Sequence, residues 1–422
     1  MTDEDHGANE KIRCPRGRRP GQSALLLLFL ILSLLGFEST LLAAQTETRI
    51  GDPNSSYASV EFTKDGRYMV WYEGTNGNFR GQMWHCAVDP VTGALSPPDG
   101  KGFKAFPSTA FARANVGYDA KGPFYVGANA RGEVYMVRPT GAKTGKMTRL
   151  AAPAVPQRKG YYPTQDDKSK KAYVVWATRN SDSSSLQYID VAQPSKVHTI
   201  ETQQKRAGQR LTAMDVGFFR VVNGAPLVTY GSLDKNRRIQ IKMKDLSKPG
   251  EPAHFITTGN HNHIDPYGFL DPKGDLYVVS GIGAKALMYV YKYNTRTRLL
   301  EKKSEFEPPS SSALQRPAMA TSFEPIFHNG HIYGTYQVND GGSGSRGYIN
   351  VAFQEPGEVW LVDITSPSKP QKKLSGDTRL IRTEPEPVTL KERILVFYNA
   401  AAPGARIMSA TWQLRRSEVP IK

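Results

Sequence analysis

The sequence has little cysteine and little helical patterning. It contains two cysteines in 422 residues. Cys14 lies in the N-terminal targeting segment discussed below, so the mature chain keeps Cys86 alone and cannot form an intrachain disulfide. No stretch of the mature chain shows a sustained helical period, which argues against an α/β fold. P-loops, dinucleotide fingerprints and serine nucleophile elbows are also absent in the required context. Stability must therefore come from the packing of strands.

Long apolar runs are equally scarce in the mature chain, and the run at residues 24–37 belongs to a targeting segment. Basic residues precede this run and the small pair Ala43-Ala44 follows it, as in a secretory signal. The run is shorter than the roughly 20 apolar residues that span a bilayer. We predict a cleaved signal peptide at 1–44, with an uncleaved anchor as the alternative. The protein is then exported, to the periplasm or the exterior, and its mature domain is 45–422.

The composition favours strands, turns and an anionic partner. The chain has 20 Tyr, 17 Phe, 38 Gly and 29 Pro, which suits many short strands. Residues 1–44 carry five basic and five acidic side chains, so the net charge of +16 belongs to the mature domain. Such a positive field concentrates anions, for example an acidic polysaccharide or the envelope surface. A generally basic solvated surface is the alternative reading. The chain lacks a nucleic-acid recognition motif, so we predict no nucleic-acid partner.

A strand-turn-strand pattern recurs along the mature chain. In one copy, Phe269-Leu270 precedes the turn Asp271–Gly274, and Leu276–Val279 follows; a tight turn with Gly is typical of a hairpin. Similar turns lie near positions 66, 122, 170, 224, 274, 330 and 392. Their spacing of roughly 50 to 60 residues is the period of propeller blades. Most units add a third strand, which completes an antiparallel blade. We predict a single all-β propeller domain, with seven blades favoured and five or six as alternatives, and a monomer.

The residues before each turn are the candidate site. In a propeller the first strand of each blade lines the central channel, so these lead-in residues converge on one mouth. Tyr rings stack on sugars, and carboxylates serve as the acid and base of glycoside hydrolysis. An acidic residue at a strand start also commonly ends a loop, which is the structural alternative. Counting back from the turns gives catalytic candidates and substrate-binding candidates, which are Asp215, Asp265, Glu324 and Glu386, and Tyr57, Arg113 and Tyr162.

Two histidines add to this site. His261 and His263 alternate along one strand and lead to Asp265, so we assign His263 to proton transfer and His261 to substrate binding. Two histidines and a carboxylate are also ligands for a transition metal. The i, i+2 spacing is not a specific ligand signature, however. We assign no metal residue and leave the cofactor unknown, with a divalent metal as the less favoured alternative.

The same residues also suit a lyase. Arg113 would offset the carboxylate of a uronate, which makes the adjacent C–H more acidic. A neutral His or a Tyr would then remove the proton, and a Tyr such as Tyr162 would protonate the leaving oxygen. The basic charge of the mature chain fits this reading better than it fits hydrolysis of a neutral glycan.

Three segments resemble the repeats of secreted carbohydrate-active propellers. Ser59–Tyr68, Asp265–Tyr277 and Glu324–Tyr333 are similar to the strand and turn units of sialidase-type repeat proteins, arabinanase-like hydrolases and propeller polysaccharide lyases. The pattern covers most of the mature chain and selects no single family. The resemblance implies an exported enzyme that cleaves an acidic or neutral glycan, as a polysaccharide lyase or a glycoside hydrolase. The alternative is a non-catalytic propeller that binds envelope glycan or a protein partner.

Overall fold

The structure, a computed structural model, describes most of the chain from Glu47 to Pro420. All described residues belong to one compact unit, Gln45–Lys422. Within them, no helix is long and apolar enough to cross a membrane. The predicted signal peptide at 1–44 lies outside the described residues. The described range is 47–420 without 50–54, 64–65, 74–79, 82, 97–102, 105, 107–110, 130, 139–144, 152–160, 167–168, 205–218, 223–224, 284, 310–313, 315–316, 341–354, 377 and 404–412.

The described residues form β-strands and no helix, as the periodicity predicts. The strands are β1 (Thr48–Arg49), β2 (Ser55–Thr63), β3 (Gly66–Glu73), β4 (Arg80–Gly81), β5 (Met83–Val88), β6 (Leu95–Ser96), β7 (Phe103–Lys104), β8 (Phe111–Asp119), β9 (Gly122–Ala128), β10 (Val134–Val137), β11 (Met147–Leu150), β12 (Tyr162–Pro163), β13 (Tyr173–Arg179), β14 (Ser183–Asp190), β15 (Val197–Gln204), β16 (Phe219–Val222), β17 (Leu227–Leu233), β18 (Ile239–Asp245), β19 (His254–Phe255), β20 (His263–Leu270), β21 (Leu276–Ile282), β22 (Met288–Asn294), β23 (Leu299–Phe306), β24 (Pro317–His328), β25 (His331–Asp340), β26 (Gly357–Asp363), β27 (Lys372–Lys373), β28 (Ile381–Thr389), β29 (Arg393–Ala401) and β30 (Gln413–Pro420).

These strands assemble into seven antiparallel sheets over the described part of the chain. Each of the seven predicted hairpins lies in its own sheet, and we number the sheets in the order of these hairpins. The first strands of the sheets contact one another in the order β2, β8, β12, β16, β20, β24, β28 and back to β2. A closed ring of antiparallel sheets is a β-propeller. The predicted fold class is therefore confirmed.

The core lies between neighbouring sheets, and this explains the apolar runs of the sequence. Second strands such as β29 have a neighbouring sheet on both faces, so their side chains are buried on both sides. In β29, for example, Leu395 and Phe397 pack against Cys86 and Val88 of the first sheet. Val396 on the opposite face of the same strand packs against Val359 of the sixth sheet. Packing of this kind fixes the sheets around the ring.

A buried ion pair near the start of the described chain helps to close this ring. β1 pairs with β30, so the first strand of the described chain lies in the same sheet as the last strand. The carboxylate of Glu47 contacts Arg382 at 2.7 and 3.1 Å and accepts a hydrogen bond from the Tyr398 hydroxyl at 2.6 Å. Arg382 is fully buried. Residues far apart in the sequence thus complete one sheet.

We expect Glu47→Gln to destabilise the fold in a pH-dependent way. Burial acts to raise the pKa of Glu47, but the hydrogen bond and charge of Arg382 outweigh burial and lower this pKa below its ordinary 4.5. The carboxylate therefore stabilises the fold above the unfolded pKa, and this stabilisation is lost as the pH falls through the folded pKa. The variant should lose about 3 kcal/mol of unfolding free energy near pH 7. The difference from the wild type should shrink below pH 4.5, as measured by denaturant titration.

The matched control is Glu418→Gln. Glu418 also pairs with an arginine, Arg393, but both side chains are largely exposed. Exposed pairs contribute about 1 kcal/mol or less. Equal losses in the two variants would contradict the role of Glu47 in ring closure.

Candidate functional site

Bulges interrupt the first strands close to where these strands begin. The pairing of β20 with β21, of β24 with β25 and of β28 with β29 shifts register after Ile264, Thr321 and Thr383, and β24 has a second shift after Pro317. The first bulge residue adopts a left-handed backbone in all three strands, with φ of 48° at Asp265, 52° at Ser322 and 54° at Glu384. β8 has a similar register shift at Arg113. Bulges re-aim the side chains that follow them and often adjoin active sites.

The bulges show which residues of the first strands are equivalent around the ring. Counting back from the turns placed Asp265, Glu324 and Glu386 in one ring. In the structure, Asp265 is equivalent to Ser322 and Glu384, whereas Glu324 and Glu386 are equivalent to Tyr267. The count failed because it went back further from the turn in the fifth unit than in the sixth and seventh, so it reached the first bulge residue in one strand and the residue two positions later in the others.

Arg220 on β16 lies at the centre of the site. Its guanidinium carbon is 5.2 Å from the ring centroid of Tyr162 and 5.1 Å from that of Tyr267. One guanidinium nitrogen lies 3.8 Å from Oε1 of Glu324. The side chains of Arg220 and Glu324 keep exposures of 13% and 15%, so a ligand can reach them. We call this group, completed by Asp265 and Glu384, the arginine cluster.

The arginine cluster draws its residues from consecutive sheets. Its members lie on the first strands of the third to seventh sheets, which are β12, β16, β20, β24 and β28. These strands contact one another in sequence around the ring. Residues that are far apart in the chain therefore meet, as the propeller prediction required.

Burial and neighbouring charges keep Glu324 protonated at neutral pH. Burial raises the pKa of Glu324 to about 8, and the charges of Glu384 and Asp265 act in the same direction. The charge of Arg220 and a hydrogen bond with Tyr267 act in the opposite direction but do not outweigh burial. An acid with such a pKa can give or take a proton near neutral pH.

The two tyrosines remain protonated. Burial raises the pKa of Tyr162 to about 12 against the opposing charge of Arg220, and Glu384 and Asp265 add smaller contributions in the same direction as burial. Burial also raises the pKa of Tyr267 well above 10, and the charge of Glu324 adds to this. Both hydroxyls are therefore hydrogen-bond donors, and neither is a base at neutral pH.

Three of the predicted site residues meet in the arginine cluster. These are Tyr162, Asp265 and Glu324. A fourth, Glu386, acts electrostatically on Tyr267. Three others cannot be compared: Asp215 lies outside the described residues, and the side chains of Tyr57 and Arg113, on β2 and β8, lie outside the described part as well.

The two histidines have different neighbours. His263 is buried, and its ring meets Tyr291 edge to face at 5.6 Å. Burial, together with His261, lowers its pKa to about 4, so the ring is neutral. His261 is exposed and lies 5.7 Å from the ring of Tyr289. Asp265 accepts the Ser322 N–H at 2.9 Å, and among the described residues no metal-holding group joins it to the two histidines.

Sequence reasoning missed Arg220 and Tyr267, and it left Glu384 out of the predicted site. Arg220 precedes the fourth turn by only a few residues, so counting back from that turn to Asp215 passed over it. Proline is found in sheets mainly at edges and bulges, and Asp265 and Glu384 are each followed by proline. Glu324 and Glu386 are followed by proline as well, so the acid-Pro pair does not single out the bulge residue.

Comparisons with known proteins give the fold alone. No protein-family model and no curated protein matches this chain. An oligogalacturonate lyase from Vibrio parahaemolyticus superposes with a TM-score of 0.53 at 10% identity, over 90% of this chain and 95% of that chain. An oligogalacturonate lyase in complex with manganese gives a TM-score of 0.53 at 10% identity, over 90% and 94% of the two chains. What they share with this chain is the propeller.

The manganese complex prompts a test of the residues present here. Across the described ranges, no group of three or more His, Cys, Asp and Glu side chains is placed to hold a metal ion. In the arginine cluster, the carboxyl groups of Asp265 and Glu324 instead interact electrostatically with the cation of Arg220. The described residues thus do not fit a manganese site, and the mechanism below uses side chains alone.

Proposed function

We propose that the protein is an exported enzyme that cleaves acidic polysaccharide, or fragments such as oligogalacturonate, by elimination at the arginine cluster. One observation carries this proposal: a partly exposed arginine lies between two tyrosine rings and beside a protonated glutamic acid. The net charge of +16 and the fold shared with two oligogalacturonate lyases support an acidic substrate. The features of residues 1–44 support export.

Arg220 would bind the carboxylate of the uronate. The planar guanidinium offers two parallel N–H groups, which suit a carboxylate. Glu324 lies 3.8 Å from the guanidinium and is protonated at neutral pH because its pKa is about 8, so it leaves part of the arginine charge to the substrate. Neutralising the uronate makes the C–H next to its carboxylate more acidic.

Glu324 would remove this proton. In its ionised form the carboxylate takes the proton from the carbon, the C–H electrons form a C=C bond, and the glycosidic C–O bond breaks. The hydroxyl of Tyr162 donates a proton to the leaving oxygen and is reprotonated from solvent. This assigns the base to Glu324 rather than to His263, which packs against Tyr291 instead.

Hydrolysis is the second candidate, and the raised pKa of Glu324 favours it. A protonated glutamic acid beside ionised carboxylates is the arrangement of a glycosidase. Glu324 would then protonate the leaving oxygen, while Asp265 or Glu384 would activate water. Both carboxylates act on the pKa of Glu324, so they are the neighbouring candidates for such a pair.

We expect the purified protein to produce unsaturated ends from uronate chains. Oligogalacturonate, polygalacturonate, alginate and a neutral glycan are incubated with the protein, and ultraviolet absorbance and reducing ends are followed together. On at least one uronate substrate both signals should rise in parallel, and the neutral glycan should give neither. Reducing ends without absorbance would establish hydrolysis. Neither signal, with retention on the immobilised glycan, would establish a binding protein.

A further inference from the structure

Side chains brace two of the left-handed bulges across sheet boundaries. The backbone N–H of Ser322 in the sixth sheet donates to Oδ2 of Asp265 in the fifth sheet at 2.9 Å. The backbone N–H of Glu384 in the seventh sheet donates to Oε1 of Gln337 in the sixth sheet at 2.9 Å. In both cases the acceptor comes from the preceding sheet. Two successive bulges are thus held in the same way.

These bulges need such support. A left-handed backbone at a residue other than glycine is strained, and the surrounding structure must hold it. The Ser322 site is buried, so its N–H would lose a hydrogen bond if the acceptor were absent. Gln337 is also buried, and its own amide is fixed because it donates to Asn339 at 3.1 Å. The acceptor oxygen of Gln337 is therefore held in position without a ligand.

The braced bulges carry the acidic residues of the site. Glu324 follows Ser322 by two residues, and Glu384 is itself the first residue of its bulge. We propose that Asp265 and Gln337 are positioning residues, which reach across sheet boundaries to hold the bulges that place Glu324 and Glu384. This proposal rests on the proposed function of the arginine cluster. It changes the role of Asp265 from catalytic to positioning.

Asp265 affects the site through a hydrogen bond and through its charge, and substitutions can separate these two effects. Its Oδ2 accepts the Ser322 N–H, and its negative charge helps to raise the pKa of Glu324. Asparagine keeps an acceptor oxygen and removes the charge, whereas alanine removes both. The other charged groups that act on Glu324 are Arg220 and Glu384, and neither substitution alters them.

The experiment titrates Glu324 in the substrate-free protein. The infrared band of its protonated carboxyl is followed against pH and assigned by its loss in Glu324→Gln. The wild-type midpoint is expected at about 8. Asp265→Asn should lower it by roughly half a pH unit or more, because a like charge is removed, and should keep a higher kcat than Asp265→Ala, because the acceptor remains. Asp265→Ala should also lower kcat by roughly tenfold to a hundredfold, because Glu324 is displaced.

Gln337→Met tests the second brace against a matched control. Methionine has a similar shape but no strong acceptor for the Glu384 N–H, so kcat should fall by roughly tenfold with a smaller change in KM. The control is Gln203→Met. Gln203 is also buried and donates to Ser232 at 2.7 Å, but it braces no bulge. This variant should keep the wild-type kcat and the wild-type midpoint of Glu324.

Two results would overturn the proposal. One is a midpoint of Glu324 and a kcat in Asp265→Ala that equal those of Asp265→Asn, and the other is a kcat in Gln337→Met that equals the Gln203→Met value. The infrared titration needs no substrate, so it separates this proposal from the proposed function. Absence of activity on every glycan defeats the function, while the difference in midpoint between the alanine and asparagine variants still decides the role of Asp265. If Asp265→Ala fails to fold, the comparison of Gln337→Met with Gln203→Met gives the decision.

Discussion

Replacing Arg220 with alanine is expected to lower kcat/KM on a uronate substrate by about a hundredfold to a thousandfold, which is the usual effect of removing a preorganised group that stabilises developing charge. The guanidinium lies between two aromatic rings and beside Glu324. Arg220 is the cation of the arginine cluster, so the other residues of the cluster cannot replace its charge. Arg220→Lys keeps the charge but loses the planar pair of donors, and we expect an intermediate loss of roughly tenfold. Steady-state kinetics on oligogalacturonate measures both effects.

Arg138 supplies the matched control for this substitution. Its guanidinium also lies over an aromatic ring, 4.9 Å from the centroid of Phe124, and it pairs with Asp119 at 3.0 and 2.6 Å. It belongs to the second sheet and not to the arginine cluster. Arg138→Ala should lower stability and leave kcat/KM near the wild-type value. Equal losses of activity in Arg138→Ala and Arg220→Ala would remove Arg220 from the mechanism.

The second large effect is a pH profile controlled by Glu324. Burial raises the pKa of Glu324 to about 8, and a base acts only when it is deprotonated. For elimination, kcat should therefore rise as the pH increases through about 8 and level off above it. Glu324→Gln should abolish this rise and lower kcat by roughly a hundredfold to ten-thousandfold. A profile that instead falls through the same pH would identify Glu324 as an acid and support hydrolysis.

The stability of Glu324→Gln provides an independent check. Because the folded pKa lies above the ordinary value of 4.5, the folded state holds its proton more tightly, and its stability decreases as the pH rises from 4.5 towards 8. The glutamine variant has no proton to lose. Above pH 8 it should unfold at a higher temperature than the wild type, although it is inactive. Glu201→Gln is the control, since Glu201 is an ion-paired carboxylate outside the arginine cluster whose pKa is lowered.

The fold was predictable because its signals are local. A hairpin such as Phe269–Val279 is encoded by adjacent residues, with apolar strands on either side of a glycine turn. Its recurrence at a regular spacing then indicates a ring, since one sheet cannot bury its own faces. The pairing of the N-terminal strand with the last sheet was also predictable, because propellers require closure.

The site was predicted only in part because the sequence does not show the register of the first strands. Asp265 and Glu324 were found, since both lie near the start of a first strand. Tyr267 was missed because the count from its turn went two residues further back, to Asp265, whereas the count in the next unit stopped at Glu324, the equivalent of Tyr267. The assignment of His263 also depended on the register of its strand, and in the structure its ring packs against Tyr291. Left-handed backbone held by another sheet leaves no signal in the local sequence.

The pairing of Glu47 with Arg382 also sets an order of events during synthesis. These residues are separated by 335 positions, so the glutamate leaves the ribosome long before its partner exists. The seventh sheet lacks β1 as its edge strand until β30 has been synthesised, because these two strands pair. The buried ion pair also forms only after Arg382 has been synthesised. The earlier sheets can collapse as they emerge, but the ring locks only after the last hairpin arrives. A chain stopped before that hairpin should remain open and vulnerable to proteases.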